Sequence, residues 1–317
     1  MSPVLSFQIS PPDLHRERQG NTDTPGVWHF DSGEPGRSLM ITSLVHGNEL
    51  CGAWALKDLL ASGLRPRHGR LTLAFCNLDA FDTFDASKHD ASRYVDEDFN
   101  RVWVDERLHA AHTHERRRAQ AMLPWLRQAD WLLDLHSMHE PSAPLLLTGT
   151  LPRNIALARQ LGAPQHVIVD AGHKDGVRMR DYAQFGNEHA DDACALLIEC
   201  GYHGDPVSIT VAKDMVARML TLSGVCETAD LPPGWLQAEP ALRRVLEVTQ
   251  AVVAPSMNVR FAHDWQGLEI LPRAGDIIGY ADDQPIVTPY DNCTLIMPSL
   301  RQLRPGVTVV RLARDYD

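Results

Sequence analysis

The sequence predicts an α/β layered domain followed by a small all-β domain, and three observations carry that prediction. Through residue 224, near-continuous apolar strands alternate with helical segments, the pattern of a sheet covered by helices on both faces. The stretch ADLPPGWLQAEP, residues 229–240, breaks the alternation and reads as a linker. Beyond it come only short apolar runs separated by Gly, Pro and Asp clusters, as expected of strands joined by tight turns. The expected division is residues 1–230 and 231–317.

The elements follow in order. SLMITSLV (38–45) is the first expected strand, and NELCGAWALKDLLAS (48–62) is a helix stopped by Gly63. GRLTLAFCN (69–77) is a strand, and VDERLHAAHTHERRRAQAMLPWL (104–126) is helical with an interruption expected near Pro124. ADWLLDLHS (129–137) is a strand, PRNIALARQLG (152–162) a helix, and ACALLIECG (193–201) a strand. In SITVAKDMVARMLTLSG (208–224), Val211, Met215, Val216, Met219 and Leu220 share one helical face, and Gly224 ends the helix. The expected strands of the second domain are RRVLEVTQAVVAP, MNVRFAHDW, GDIIGYADD, PIVTPYDNCTLIMP and GVTVVRLAR.

Composition narrows the function. The 317-residue chain has a formal net charge of −11, which repels phosphate backbones and argues against a nucleic-acid partner. No apolar run approaches the length of a membrane span, so no membrane association is expected. MSPVLSFQISPPDLHRERQG lacks a basic start followed by an apolar core, so no signal peptide is expected. The six cysteines are scattered without a CxxC pair and read as reduced core thiols of a cytoplasmic protein. The sequence leaves a homo-oligomer open.

The chemistry-bearing residues sit at strand ends. In SLVHGNEL (43–50), His46 and Glu49 straddle the turn between the first strand and its helix. The carboxyl ends of strands are where α/β sheets place their ligands. An imidazole and a carboxylate suit zinc, and a catalytic zinc takes three protein ligands with one position open to water. His136 ends the apolar run WLLDLHS and supplies a third donor, while Asp134 is placed to accept a hydrogen bond from a ligand imidazole. Glu199 ends CALLIECG, where a buried acid is costly unless paired or functional. Beside an activated water it is a general base and then a proton donor to the leaving amine. Each residue alone also has a plainer reading: HxxE pairs arise by chance, His136 can be a core histidine, and Glu199 can pair with a buried arginine.

HGNE, SRYVDEDFNRVW, LLDLHS and LLIECG, in that order, resemble the succinylglutamate desuccinylase/aspartoacylase family, relatives of the zinc carboxypeptidases. The resemblance spans roughly residues 38–205. It implies a three-layer zinc carboxypeptidase-like domain with a mixed central sheet and a β-rich tail. It also implies one zinc ion on His46, Glu49 and His136, with Glu199 as the catalytic carboxylate. Arg93 would stabilise the oxyanion, and Asn100 and Arg101 would hold a substrate carboxylate, roles that suit a guanidinium fork. Without the resemblance, SRYVDEDFNR reads as a solvated loop whose arginines pair with Asp96 and Asp98.

The family places a further arginine about ten residues before the catalytic glutamate; here His189 occupies that region. Arg178, Arg180 and Tyr182 alternate in HKDGVRMRDYAQFG (173–186) as on a strand edge or loop and are the plausible substitutes, the plainer reading being a solvated loop. His139 lies one turn beyond His136 and is expected to line the pocket rather than bind metal. The implied activity is zinc-dependent hydrolysis of the amide of a small N-acyl amino acid or related carboxylate-bearing amide, with a small, anionic substrate. The alternatives are a zinc carboxypeptidase acting on peptide C-termini and a non-catalytic metal- or ligand-binding protein on the same scaffold.

Overall fold

The structure, a computed structural model, describes residues 6–172 and 176–316. Its first part carries strands β1 (Val27–Asp31), β2 (Ser38–Ser43), β3 (Arg70–Phe75), β4 (Trp131–Met138), β5 (Leu145–Leu147), β6 (His166–Val169) and β7 (Cys194–Tyr202). Helices α1 (Leu50–Ser62), α2 (Leu78–Phe81), α3 (Asp105–His109), α4 (His114–Arg127), α5 (Pro152–Gln160) and α6 (Val207–Leu222) connect them. The second part is all strand: β8 (Arg244–Val253), β9 (Val259–Phe261), β10 (Ile270–Leu271), β11 (Ile277–Ala281), β12 (Gln284–Val287), β13 (Cys293–Ile296) and β14 (Thr308–Asp315).

Strand alternation builds the layers. Leu39 and Ile41 of β2 turn to one face, where α1 and α6 cover them, together with Leu133 and Leu135 of β4 and Leu196 and Ile198 of β7. Met40, Leu132 and Ala195 turn to the other face, against Ala119, Met122 and Leu126 of α4. Side chains point alternately up and down along a strand, so strands that are apolar at every position need helices on both sides. The result is the expected mixed three-layer α/β arrangement. β2, β3, β4 and β7 are mutually parallel, while β1 and β5 run antiparallel to β3 and β7.

The sheet does not stop at the linker. β8 pairs parallel to β6, and the order runs β1-β3-β2-β4-β7-β5-β6-β8-β14-β13-β10. Met138, Leu145, Ile168, Leu246 and Ile296 form an apolar cluster across this junction. A separate antiparallel sheet, β12-β11-β9, completes the second part. The stretch 229–240 is itself fastened down, since Arg218 donates to the carbonyl of Gln237 at 2.7 Å and Gln237 N–H donates to Asp214 at 2.8 Å.

One local expectation differs from the structure. The helical stretch after residue 104 breaks at Ala110–Thr113, not at Pro124. Thr113 caps a new helix by accepting from the Arg116 N–H at 3.2 Å, and Pro124 is absorbed in the last turn of α4. Strands β1, β5 and β6 are too short for their periodicity to be read. The six cysteines are free and buried. Among the described residues no helix is long and apolar enough to cross a membrane.

Candidate metal centre

β2, β4 and β7 run parallel, so their carboxyl ends deliver three polar segments to one place. Leu44, directly after β2, has φ 53°, a strained value for a branched side chain, where the chain leaves the strand for α1. Gly47 follows His46 in a space without room for a side chain. A Cβ there would lie 2.4 Å from the Ala80 carbonyl carbon and 2.5 Å from Phe81 N and Ser92 O. All three are backbone atoms that cannot swing aside. Gly47→Ala is therefore expected to cost about 2 kcal/mol of stability, as overpacking does, and to weaken metal binding. Urea unfolding and metal titration of the variant measure the two effects.

His46, Glu49 and His136 are all buried, and their ligand atoms lie within 4.8 Å of one another. His46 Nδ1 is 2.7 Å from Glu49 Oε1, and His136 Nδ1 is 2.8 Å from Glu49 Oε2. The outward nitrogens are occupied by acids: His46 Nε2 sits 3.1 Å from Asp98 Oδ1, and His136 Nε2 sits 2.8 Å from Asp134 Oδ2. Thr42 Oγ1 donates to Asp134 Oδ1 at 2.7 Å. Each ring thus lies between two carboxylates; with a cation taking the Nδ1 side, Asp98 and Asp134 would keep the remaining proton on Nε2. Burial opposes charge on Glu49, yet the two imidazoles hold its pKa well below the usual range. Burial likewise opposes charge on His136, and Asp134 and Glu49 outweigh it, raising its pKa.

Register brings in the fourth group. His136 on β4 pairs with Glu199 on β7. Glu199 Oε2 is buried and has no hydrogen-bond partner among the described residues. Burial, with the nearby charge of Glu49, pushes its pKa up to about 8. Cys200 alternates to the opposite face, into the core beneath α1 and α6.

The SRYVDEDFNR loop is buried at Ser92, Phe99 and Asn100, half-buried at Arg93, Asp98 and Arg101, and exposed at Tyr94, Val95 and Asp96. Arg93 Nη1 lies 3.3 Å from Glu49 Oε1, and its Nη2 lies 3.1 Å from Asp98 Oδ2. Asp96 turns away to His114 at 2.8 Å. Asn100 is fixed by accepting from the Met179 N–H at 3.0 Å, and Arg101 Nη1 donates to the Asn100 carbonyl at 2.8 Å. His46, Glu49, His136, Glu199, Arg93, Asn100, Arg101 and Arg178 line one cavity. Its roof comes from the second part of the chain, through Gln266, Met297, Pro298, Gln302 and Arg311.

Of the three substitutes expected in 173–186, only Arg178 faces the cavity; His173–Asp175 lie outside the described residues. Arg178 is buried, pairs with Asp181, and has an Nη2 without a hydrogen-bond partner among the described residues. Arg180 instead donates to the carbonyls of Thr148 and Ala195 at 2.7 and 2.9 Å, and burial lowers its pKa to about 10. Tyr182 donates to Asp105 at 2.7 Å. The segment is a loop of two 3-10 turns, Met179–Asp181 and Ala183–Phe185, so the three side chains do not share one direction. His189 is 85% exposed and far from any such role.

The chain matches the succinylglutamate desuccinylase/aspartoacylase catalytic domain over residues 35–221. It belongs to this family. The chain is 27% identical to a succinylglutamate desuccinylase of Paraburkholderia xenovorans, covering 88% of this chain and 83% of that one. Solved structures share the fold. A succinylglutamate desuccinylase from Vibrio cholerae superposes with a TM-score of 0.67 at 15% identity, covering 92% of this chain and 87% of that one. A succinylglutamate desuccinylase/aspartoacylase from Rhodobacter sphaeroides superposes with a TM-score of 0.63 at 21% identity, covering 90% and 87%. The ligand set, Arg93, Asn100 and Glu199 all fall inside the matched family segment, whereas the roof residues 266–311 fall beyond it.

Asp170, Gln302 and Arg311 line the cavity and were missed by the sequence reading, while Asp98, read there only as a partner for the loop's arginines, also holds His46. Asp170 carried a usable signal, since it follows the apolar run of β6 just as Glu199 ends that of β7. Arg311, 3.1 Å from Asp170, sits in the middle of apolar β14. A mid-strand arginine is equally out of place.

Proposed function

We propose that this chain is a zinc-dependent deacylase that hydrolyses the amide bond of a small N-acyl amino acid or related carboxylate-bearing amide. The observation that carries the reading is three convergent donor atoms beside a buried carboxylate whose Oε2 has no hydrogen-bond partner among the described residues. The donors fit one ion: two imidazole nitrogens presented by acid-anchored rings, plus one carboxylate, are a zinc-type set. A divalent cation there supplies Lewis acidity toward a carbonyl oxygen and lowers the pKa of a water. Glu199 takes the proton of the attacking water and returns it to the leaving nitrogen. Arg93 presents its guanidinium to the oxygen that gains charge in the transition state. Asn100 and Arg101 orient the substrate by its carboxylate, which makes the attack effectively unimolecular. Free cysteines throughout suit a reducing, cytoplasmic setting.

The roof supports a small substrate over a peptide chain, because Met297, Pro298, Ser299 and Gln302 of the second part line the same cavity as the donor residues. Arg178, with its spare Nη2, supports an anionic acyl end. Arg178→Met is expected to raise KM for an acidic N-acyl substrate by about 10- to 100-fold, the worth of one charged hydrogen bond. Neutral acyl groups should be unaffected, as steady-state kinetics on paired substrates would reveal.

The deciding test is a panel assay. Zinc-loaded protein is incubated with N-acyl amino acids bearing acidic and neutral acyl groups and with longer peptides, and free amino acid is quantified. Release from the N-acyl amino acids alone is the expected result. Cleavage of peptides alone would instead make it a carboxypeptidase.

A further inference from the structure

Beside the metal centre lies a chain of hydrogen bonds that the proposed reaction does not use. His139 Nδ1 is 3.0 Å from Asp90 Oδ1 and 3.2 Å from His203 Nε2. His203 Nδ1 in turn is 2.8 Å from Ser137 Oγ. On its other side, His139 Nε2 is 3.1 Å from Gln302 Nε2 and 3.5 Å from Arg93 Nη1. His139, Arg93 and Gln302 all line the cavity.

Donor and acceptor inventory orders the protons along this chain. A guanidinium nitrogen only donates, as does a carboxamide nitrogen. His139 Nε2 therefore presents a lone pair to Arg93 and Gln302. The ring proton then lies on Nδ1, shared between Asp90 and His203. His203 accepts at Nε2 and donates from Nδ1 to Ser137. Every ring nitrogen in the chain has a complementary partner, which fixes one tautomer for each histidine.

We propose that His139 is a positioning residue for Arg93. Asp98 holds one side of the guanidinium, and Glu49 and His139 flank Nη1. Glu49 is a ligand in the proposed function, on which this inference rests, so its carboxylate is shared with the cation when the site is loaded. His139 then keeps Nη1 turned toward the substrate carbonyl. Through Gln302 the same imidazole ties Arg93 to the roof, so the roof's position and the arginine's aim are coupled. A small misplacement of such a group costs rate rather than binding.

The test compares His139→Ala, His139→Gln and Asp90→Ala with wild type in the zinc-loaded protein. kcat, KM and bound metal are measured, with 15N NMR of the histidine tautomers alongside. His139→Ala is expected to lower kcat by about 30-fold, within the range seen for misplaced catalytic groups, with KM and metal content near wild type. His139→Gln, whose carboxamide oxygen can still accept from Arg93, should recover most of that loss. Asp90→Ala should release the His139 tautomer and lower kcat in parallel. A wild-type kcat in His139→Ala would overturn the proposal. So would a glutamine variant no better than alanine, which would point to proton transfer by His139 itself. Wild type inert toward every amide in the panel would sink the deacylase reading. The tautomer would still decide the inference: an Nε2-protonated His139 refutes the arrangement, and an Nδ1-protonated one upholds it.

Discussion

Glu199→Gln is expected to lower kcat by about a thousandfold, within the range for loss of a general base, while binding the metal as wild type does. Glutamine keeps the size and polarity of the side chain but cannot take a proton from water. The ligand set is untouched, because Glu199 is not among the three residues whose donor atoms converge. Metal analysis and single-turnover kinetics on the same preparation separate the two effects. A variant with full rate would remove Glu199 as the general base and overturn the proposed mechanism.

The same substitution carries a signature in the metal-free protein. The Glu199 pKa is raised from 4.5 to about 8 by burial and by Glu49. The folded state thus holds a proton that the unfolded chain releases across that window. The associated stability is fully present below the lower value and is lost as pH rises through the upper one. Glutamine stays neutral throughout. Metal-free Glu199→Gln should therefore lose less stability than metal-free wild type between about pH 6 and about pH 9. Thermal melts across that range report it without any substrate.

Stripping divalent metal with a chelator is expected to abolish activity, and adding zinc to the stripped protein is expected to restore it. Zinc at about 100 times its dissociation constant should also stabilise the fold by about 2.7 kcal/mol, a rise of several degrees in Tm for a chain of this size. His46→Ala should remove that rise by deleting a donor. Asp98→Ala should leave the donors in place yet weaken metal binding by about 10- to 100-fold, because the His46 ring loses the partner that orients it. A zinc titration followed by calorimetry distinguishes the two variants. An equal melt with and without zinc would remove the metal centre from the account.

His46, Glu49, His136 and Glu199 were legible because their signal is local. A polar side chain closing an apolar strand costs free energy unless something is built around it, and that mismatch can be read within ten or so residues. Asp134 was legible for the same reason, two residues from His136 on the same strand face. Arg180 and Tyr182 were less legible because alternation in a loop does not fix which way a side chain points, and backbone turns sent both into other contacts. Strands β5 and β6, at three and four residues, were too short to carry a period.

By itself, the amino-acid sequence determined the layers, the all-β character of the second part and the identity of the convergent donors, because apolar periodicity and strand-end polarity are properties of short segments. Only the tertiary structure decided that Asp98 anchors His46, that His136 pairs with Glu199, and that β8 carries the sheet on from β6. It likewise set Gln302 against His139 and Arg311 against Asp170. Those contacts join residues more than a hundred positions apart, and they exist only because strand pairing folds the second part of the chain over the mouth of the first.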